Sequence, residues 1–281
     1  MLALGLALGL LSAIAIGWAY TWQHDAAAGM EPLSLRHPIR AIRLLIRHRG
    51  WLIGLGLESG GWLLYVAALR LAPLALVQGV SAAGIAVLAL LAARGHPRRL
   101  SGRTQLATAL AVGGLVLLSL SLVGVHVVDH RPQAVAAVGW LVACGVAAAA
   151  LWFLPLGVPR AAALGLASGA FFAGGDISVK LFVEGGWWLV ALGPMIGFYV
   201  LGTLCLQSAF QHGDALTGAG ISTLATNALP IAAGFVLFGE SLPSGARGVA
   251  QVAGFATIVA GAILLADVKA PGQAIAATAS G

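Results

Sequence analysis

Three ionisable side chains, Glu58, Asp176 and Lys180, lie inside long apolar stretches. A charge at bilayer depth costs roughly 2.5–3.5 kcal/mol on insertion scales, so each needs a partner, a cavity or a solute path. Asp176 and Lys180 are four residues apart and share a helical face, where they can pair. Lys180 can also carry its ammonium towards the interface on its aliphatic stem. Glu58 has no partner at helical spacing in its own stretch. Two readings stay open for it: a neutral buried acid, or an acid that takes up a proton or cation as part of transport. Intramembrane acids favour the second. As an expectation, Glu58 and Asp176 line a solute path.

Neutral polar candidates for the same path are Gln78, Gln207, Asn227, Gln251, Tyr65 and Tyr199. Each either contacts a solute or bonds a neighbouring helix, and interhelical bonding is the commoner use. Pro230 follows Asn227 closely; it frees the carbonyl of Thr226 and opens its helix locally. No catalytic motif is present: there is no Gly-x-Ser-x-Gly, no phosphate loop and no His-Glu-x-x-His, so neither an enzyme nor a cofactor is expected. His126 and His130, with Asp129 between them, are too few for a usual metal site and read as a solvated loop. Cys144 and Cys205 both fall in apolar runs and give no disulfide framework.

The elements that must position these groups follow from composition. Of 281 residues, 60% are hydrophobic and 9% charged, against about 25% charged in a soluble domain. So few charges cannot cover a water-facing surface, whereas lipid asks for no polar groups. Nine apolar runs can be marked: Leu2–Trp22, Trp51–Leu71, Pro73–Ala93, Gln105–Val125, Ala134–Leu154, Ala161–Val183, Trp187–Ala209, Ala215–Phe238 and Gly248–Ala266. At about 20 residues each they predict spanning helices. The first lacks a basic leader and is read as a retained helix. Trp187 and Trp188 read as belt residues at an interface. Residues 267–281 read as a loose tail.

Arg and Lys set the orientation. Of the 15 basic residues, eleven fall on the side of the loops after odd-numbered runs, and only Arg70, Arg131 and Arg247 on the other. The first side is therefore expected to be cytoplasmic, with the N-terminus outside and the C-terminus inside. Because the Arg residues flank apolar runs, the net charge of +6 reads as topology and not as a nucleic-acid surface. Between the first two runs, within 33–49, Arg36, Arg40, Arg43 and Arg47 repeat one residue behind Leu35, Ile39, Ile42 and Ile46. On a helix this makes a basic stripe beside an apolar one, suited to the membrane interface and anionic lipid.

The chain also repeats itself. Ala7-Leu8-Gly9-Leu10 with Ser12 recurs as Ala163-Leu164-Gly165-Leu166 with Ser168, and Ser101-Gly102 recurs as Ser244-Gly245. Runs one to four (1–125) then match runs six to nine (161–266), with run five (134–154) as linker. A single linker helix inverts the second copy, the arrangement found in many secondary transporters with a midplane site. Gly5/Gly9, Gly56/Gly60, Gly165/Gly169 and Gly193/Gly197 have Gly-x-x-x-Gly spacing and are expected to be packing faces, within one chain or in a homodimer.

Asn227-Ala228-Leu229-Pro230, running on to Phe238-Gly239-Glu240 with Gln251, Gly254 and Gly261, resembles the closing helices of a repeat in EamA-like members of the drug/metabolite transporter superfamily. Ala72-Pro73-Leu74-Ala75-Leu76-Val77-Gln78 resembles the equivalent helix start, also seen in NIPA-type magnesium transporters, and Gly174-Gly175-Asp176 through Lys180 resembles the first-helix pattern. The likeness spans all nine runs. It departs from the usual ten-helix plan: the second helix of each repeat is missing, the first repeat has Gly95-His96 in place of Gly-Glu, and His24 stands opposite Lys180. The resemblance implies a plasma-membrane secondary transporter of a small solute, with proton coupling through Glu58 or Asp176 one option. A NIPA-like divalent-cation pathway is the first alternative, with two acids at depth few for it. A non-transporting accessory protein of the bilayer is the second.

Overall fold

The computed structural model describes residues 2–33, 37–71, 77, 80, 83–94, 101–121, 134–155, 157–183, 186–238 and 245–266. Gln78, Pro73, Gly95-His96, His126, Asp129, His130, Gly239-Glu240 and the tail lie outside them, as do the side chains of Lys180, Trp187 and Trp188.

Lipid offers the backbone no hydrogen bonds, so a spanning segment must satisfy its own, and helices do so. The described helices are α1 (Leu2–Ala28), α2 (Pro38–Arg47), α3 (Arg49–Leu69), α4 (Ala83–Arg94), α5 (Gly102–Ser121), α6 (Ala134–Phe153), α7 (Arg160–Val183), α8 (Leu192–His212), α9 (Ala215–Phe238) and α10 (Ala246–Ala266), with a 3₁₀ segment at Gly186–Ala191. Seven stretches are long and apolar enough to cross a membrane: Leu2–Ala28, Arg49–Ala68, Gly102–Ser121, Ala134–Phe153, Arg160–Val179, Leu189–His212 and Ala246–Ala266. The protein is an all-α polytopic membrane protein. Its distribution of polarity agrees: Leu63 is 62% exposed and Val249 71%, while Gln23, Gln207 and Gln251 are at most 1% exposed.

Two run boundaries need correction. The first helix does not stop at Trp22 but continues to Ala28. Gln23, Ala26 and Ala27 are buried, so the polar sequence Gln23-His24-Asp25 belongs to the helix and not to a loop. The seventh run is not one helix; the 3₁₀ segment precedes α8, and Pro194 sits in the first turn of α8, where its missing N–H costs nothing. Ser101 and Asp214 cap α5 and α9, accepting from the backbone N–H of Thr104 (3.1 Å) and Thr217 (2.8 Å).

α1 lies against α3 and α4, α7 against α8 and α9, and α5 packs along α10; α6 rests on α7, and α8 also touches α1. Backbones meet at glycines. A Cβ at Gly61 would sit 3.2 Å from Ser12 O, one at Gly165 2.7 Å from Gly218 O, and one at Gly254 3.1 Å from Gly114 O. Gly56, Gly60, Gly193 and Gly197 meet nothing within 4 Å, so those two pairs are not packing faces within this one chain. The glycines of α3 that approach α1 are Gly54 and Gly61, seven apart on another face.

The contacts recur at constant shifts. Moving α1 by 156 residues and α3 and α4 by 141 turns the approach of Gly61 to Ile16 into that of Gly202 to Phe172, and Gly84–Ala13 into Ala225–Gly169. A shift of 143 exchanges the two ends of the α5–α10 contact: Ala111 against Gly261 becomes Gly254 against Leu118.

One end of the bundle is tied by polar bonds. His24 Nε2 donates to Gly213 O (3.1 Å). Gln211 accepts from Leu33 N (2.9 Å) and donates to Ala27 O and Glu31 O (both 3.0 Å). On α2, Ala41 and Leu45 pack beside Ala26, Trp51 and Leu204, while Ile39, Ile46, Arg40, Arg43 and Arg47 stay exposed. Arg40 pairs with Glu31 at 2.7 Å on the surface.

Candidate functional site

The site is built around Glu58, near the middle of α3. Its Oε2 accepts from Gln23 Nε2 on α1 (2.7 Å), and Gln23 Oε1 accepts from Gln207 Nε2 on α8 (2.7 Å). Three helices are thus joined by one chain of side-chain bonds. Gln23 is 1% exposed and Gln207 fully buried, so the chain runs through the interior. Gln207 Oε1 has no hydrogen-bond partner among the described residues. An ionised carboxylate can only accept, so an ionised Glu58 fixes which way Gln23 faces, and Gln23 then fixes Gln207. Both amides donate towards the acid and leave a bare carbonyl oxygen at the far end.

Around this chain Tyr20 lies within electrostatic reach of Glu58. The Phe210 ring stands 6.4 Å from that of Tyr20 and 5.7 Å from that of His24. The ion pairs among the described residues are His24–Asp25 and Arg40–Glu31, both with exposed members, so Glu58 has no basic counterion among them.

A second cluster joins α7 to α8. Tyr199 Oη donates to Asp176 Oδ1 at 2.6 Å. Gly175 makes room for the ring, since a Cβ there would lie 3.2 Å from it, and Phe172 stacks at 6.1 Å. Whether Lys180 also reaches Asp176 lies outside the described side chains.

The other candidates divide. Asn227 Nδ2 donates to Thr223 O (2.8 Å) and Thr226 Oγ1 to Ser222 O (2.9 Å), so both are spent on α9 itself, one turn before Pro230. α9 runs through Pro230 as helix. Tyr65 packs with Ala68, Val77, Leu6 and Leu8. Gln251 is buried on α10 with neither amide atom bonded. Ser168 and Ser222 bridge α7 and α9 at 3.0 Å.

Gln23 is the residue that sequence reasoning missed. It stands beside His24 and Asp25 and looks like the start of a loop. The signal was its spacing: Ser12, Ala19 and Gln23 fall on one helical stripe, all buried.

No protein-family model matches the chain, and neither a curated protein nor a solved structure matches it. Fold and site therefore define the class, a polytopic α-helical membrane protein with a half-buried acid bonded to two buried amides, and the reading of its role rests on the residues themselves.

Proposed function

We propose that this protein is a secondary transporter of a small solute, of the drug/metabolite type, working by alternating access between two inverted repeats. The carrying observation is Glu58: an acid in mid-helix, without a basic partner among the described residues, tied through Gln23 to Gln207 on a helix of the other half. An intramembrane acid so placed is a functional group by default. A structural acid would be expected to find a counterion on a neighbouring helix; this one finds only neutral amides. Proton coupling is assigned to Glu58.

The repeats are α1 with α3–α5 and α7–α10, with α6 as linker and nine spans in all. The constant shifts between contact pairs support this, as does the way a single shift maps the α5–α10 contact onto itself. α2 and its flanks are then a 15-residue insertion, the difference between shifts of 156 and 141. The bias of basic residues supports a cytoplasmic face at the end where His24, Gln211 and α2 meet, with the N-terminus outside and the plasma membrane as location.

The test is a thermal-shift screen of the purified protein against metabolites, drugs and divalent cations at two pH values, followed by flux into proteoliposomes. A saturable shift and a flux that Glu58→Gln removes are the expected results. Unchanged flux in folded Glu58→Gln and Asp176→Asn variants would sink the reading.

A further inference from the structure

The direction of the hydrogen bonds from Gln207 to Glu58 carries more than a location. In the structure both amides donate towards the carboxylate: Gln207 Nε2 to Gln23 Oε1, then Gln23 Nε2 to Glu58 Oε2. A protonated Glu58 has an O–H to donate, and Gln23 Oε1 is the acceptor on its contacting neighbour. Once Glu58 donates, Gln23 must offer its carbonyl to the acid and its NH₂ to Gln207. Gln207 then turns its own carbonyl to Gln23. The proton on α3 thereby reverses two amides and changes what α8 presents at the far end.

We propose that Glu58, Gln23 and Gln207 form a two-state relay that selects a solute bearing N–H donors and exchanges it for a proton. With Glu58 ionised, the chain ends in the bare Gln207 Oε1, an acceptor for a small ammonium-type or amidinium-type group. With Glu58 protonated, the chain ends in a bare NH₂, which repels such a group. The solute and the proton therefore exclude each other although they touch opposite ends of the chain. The proton leaves Glu58 for solution as the solute binds, and no other bond is made or broken. The inference rests on the transporter reading of this same site and names its substrate class.

Two observations stand behind the assignment of a donor-bearing solute. Gln207 Oε1 is fully buried and has no partner, and an interior carbonyl in that state is strongly driven to acquire a donor. Among the described residues no ion pair is made by Glu58, so none of their cations serves it in place of the solute. The titratable and charged groups on the elements around it, among the described residues, are these. α1 brings Tyr20, His24 and Asp25; α2 and the start of α3 bring Arg40, Arg43, Arg47 and Arg49 at the surface, and α3 also Tyr65; α8 brings Tyr199, Cys205 and His212; the start of α9 brings Asp214. His24 is engaged by Gly213 O, His212 by Ser208 O and Asp214 by Thr217. Because Gln207 is fully buried in this conformation, a solute reaches Oε1 when the helices on that side of Gln207 part, with the Gln23–Gln207 bond kept.

The relay is tested with methylammonium as probe on the full-length purified protein, with tetramethylammonium, which has no N–H, and acetate as controls. Methylammonium binding is expected to release about one proton, and its affinity to rise about tenfold per pH unit until Glu58 is fully ionised. Tetramethylammonium and acetate should not reproduce this. Gln23→Met keeps the length of the side chain but cuts the relay; Glu58 still titrates, and the pH dependence of binding should flatten. Gln207→Met should abolish probe binding, which guards against a poorly folded Gln23 variant. Equal pH dependence in wild type and Gln23→Met overturns the relay, and so does equal binding of tetramethylammonium, or no methylammonium binding at all. If the relay fails while another solute is carried in a Glu58-dependent way, the transporter reading stands and only the solute class falls.

Discussion

Replacing single glycines by alanine separates two kinds of glycine that look alike in the sequence. A Cβ at Gly169 would lie 2.7 Å from Ser222 O and would also meet Ala225, and ordinary contact begins at 3.4 Å. Helices α7 and α9 would have to part by roughly 0.7 Å there, and overpacking of this order costs about 1–3 kcal/mol. The neighbouring Ser168–Ser222 bond, at 3.0 Å, would stretch with them, adding about 0.5–1.5 kcal/mol. Gly169→Ala should therefore lose about 2–4 kcal/mol. Gly56→Ala and Gly197→Ala meet open space and exchange glycine for a better helix former, so they should change stability by no more than ~1 kcal/mol, towards stabilisation. The assay is the thermal midpoint of each purified variant in one detergent. With about 2–4 °C per kcal/mol for a chain of this size, Gly169→Ala should fall by roughly 5–15 °C while the other two hold or rise. Should Gly56→Ala fall as far as Gly169→Ala, the assignment of faces is wrong.

Arg43 and Arg47 stand exposed on α2 beside Ile39 and Ile46, so the double variant Arg43→Gln/Arg47→Gln should retain fewer anionic lipids in native mass spectrometry, by roughly fivefold per charge. Retention equal to wild type would return α2 to a purely structural role. The proposed repeats exchange Tyr20 with Asp176 and Glu58 with Tyr199. Tyr199→Phe removes a hydrogen bond present in this conformation, and Tyr20→Phe one expected only in the opposite conformation, so the two should shift the conformational equilibrium in opposite senses by about three- to tenfold. Spin labels at Asp25 and His212 would read that equilibrium, and shifts of the same sign would count against the repeats.

What the sequence made legible was whatever lipid enforces on its own. An uninterrupted apolar run has one stable backbone solution, so α6 and α9 begin where composition places them, and the described part of the basic stripe, from Ile39 to Arg47, lies on α2. What lipid does not enforce is which face of a helix turns inward. Gly56 and Gly60 carry the same spacing as Gly165 and Gly169, yet the first pair faces outward and the second lies under α9. Spacing alone cannot distinguish them, because a small residue is tolerated on either face and only a partner helix makes it necessary. The boundary at Trp22 failed for a related reason. Polar residues were read as the end of the span, but Gln23 is polar because the interior there is polar. Glu58 was found because a lone acid in an apolar run is costly anywhere; its partners were not, because an amide near a run's end looks like solvated chain.

The site is asymmetric under the proposed repeats. Gln23 falls on Val179 and Gln207 falls on Val66, so the amide chain, which spans both proposed halves, has no symmetric copy. The acid and tyrosine positions do have one: Glu58 with Tyr20 on one side, Tyr199 with Asp176 on the other. A pair of positions kept in both halves suits the part of the cycle that must run in both directions, the swap of repeat conformations. A chain present in a single copy would suit the part that must not be symmetric, the recognition of one solute with one coupling proton. At the two matching positions stand valines, Val66 on α3 and Val179 on α7, and apolar side chains leave nothing unpaired there. The same reasoning separates Asp176 from Glu58. Asp176 already accepts a short bond from Tyr199, which satisfies it locally, and Glu58 is bonded only through amides that can turn around. An acid held by a hydroxyl that can always donate is suited to stay put. An acid held by a reversible amide is suited to change its proton, which is why the proposed coupling is placed on Glu58 rather than Asp176.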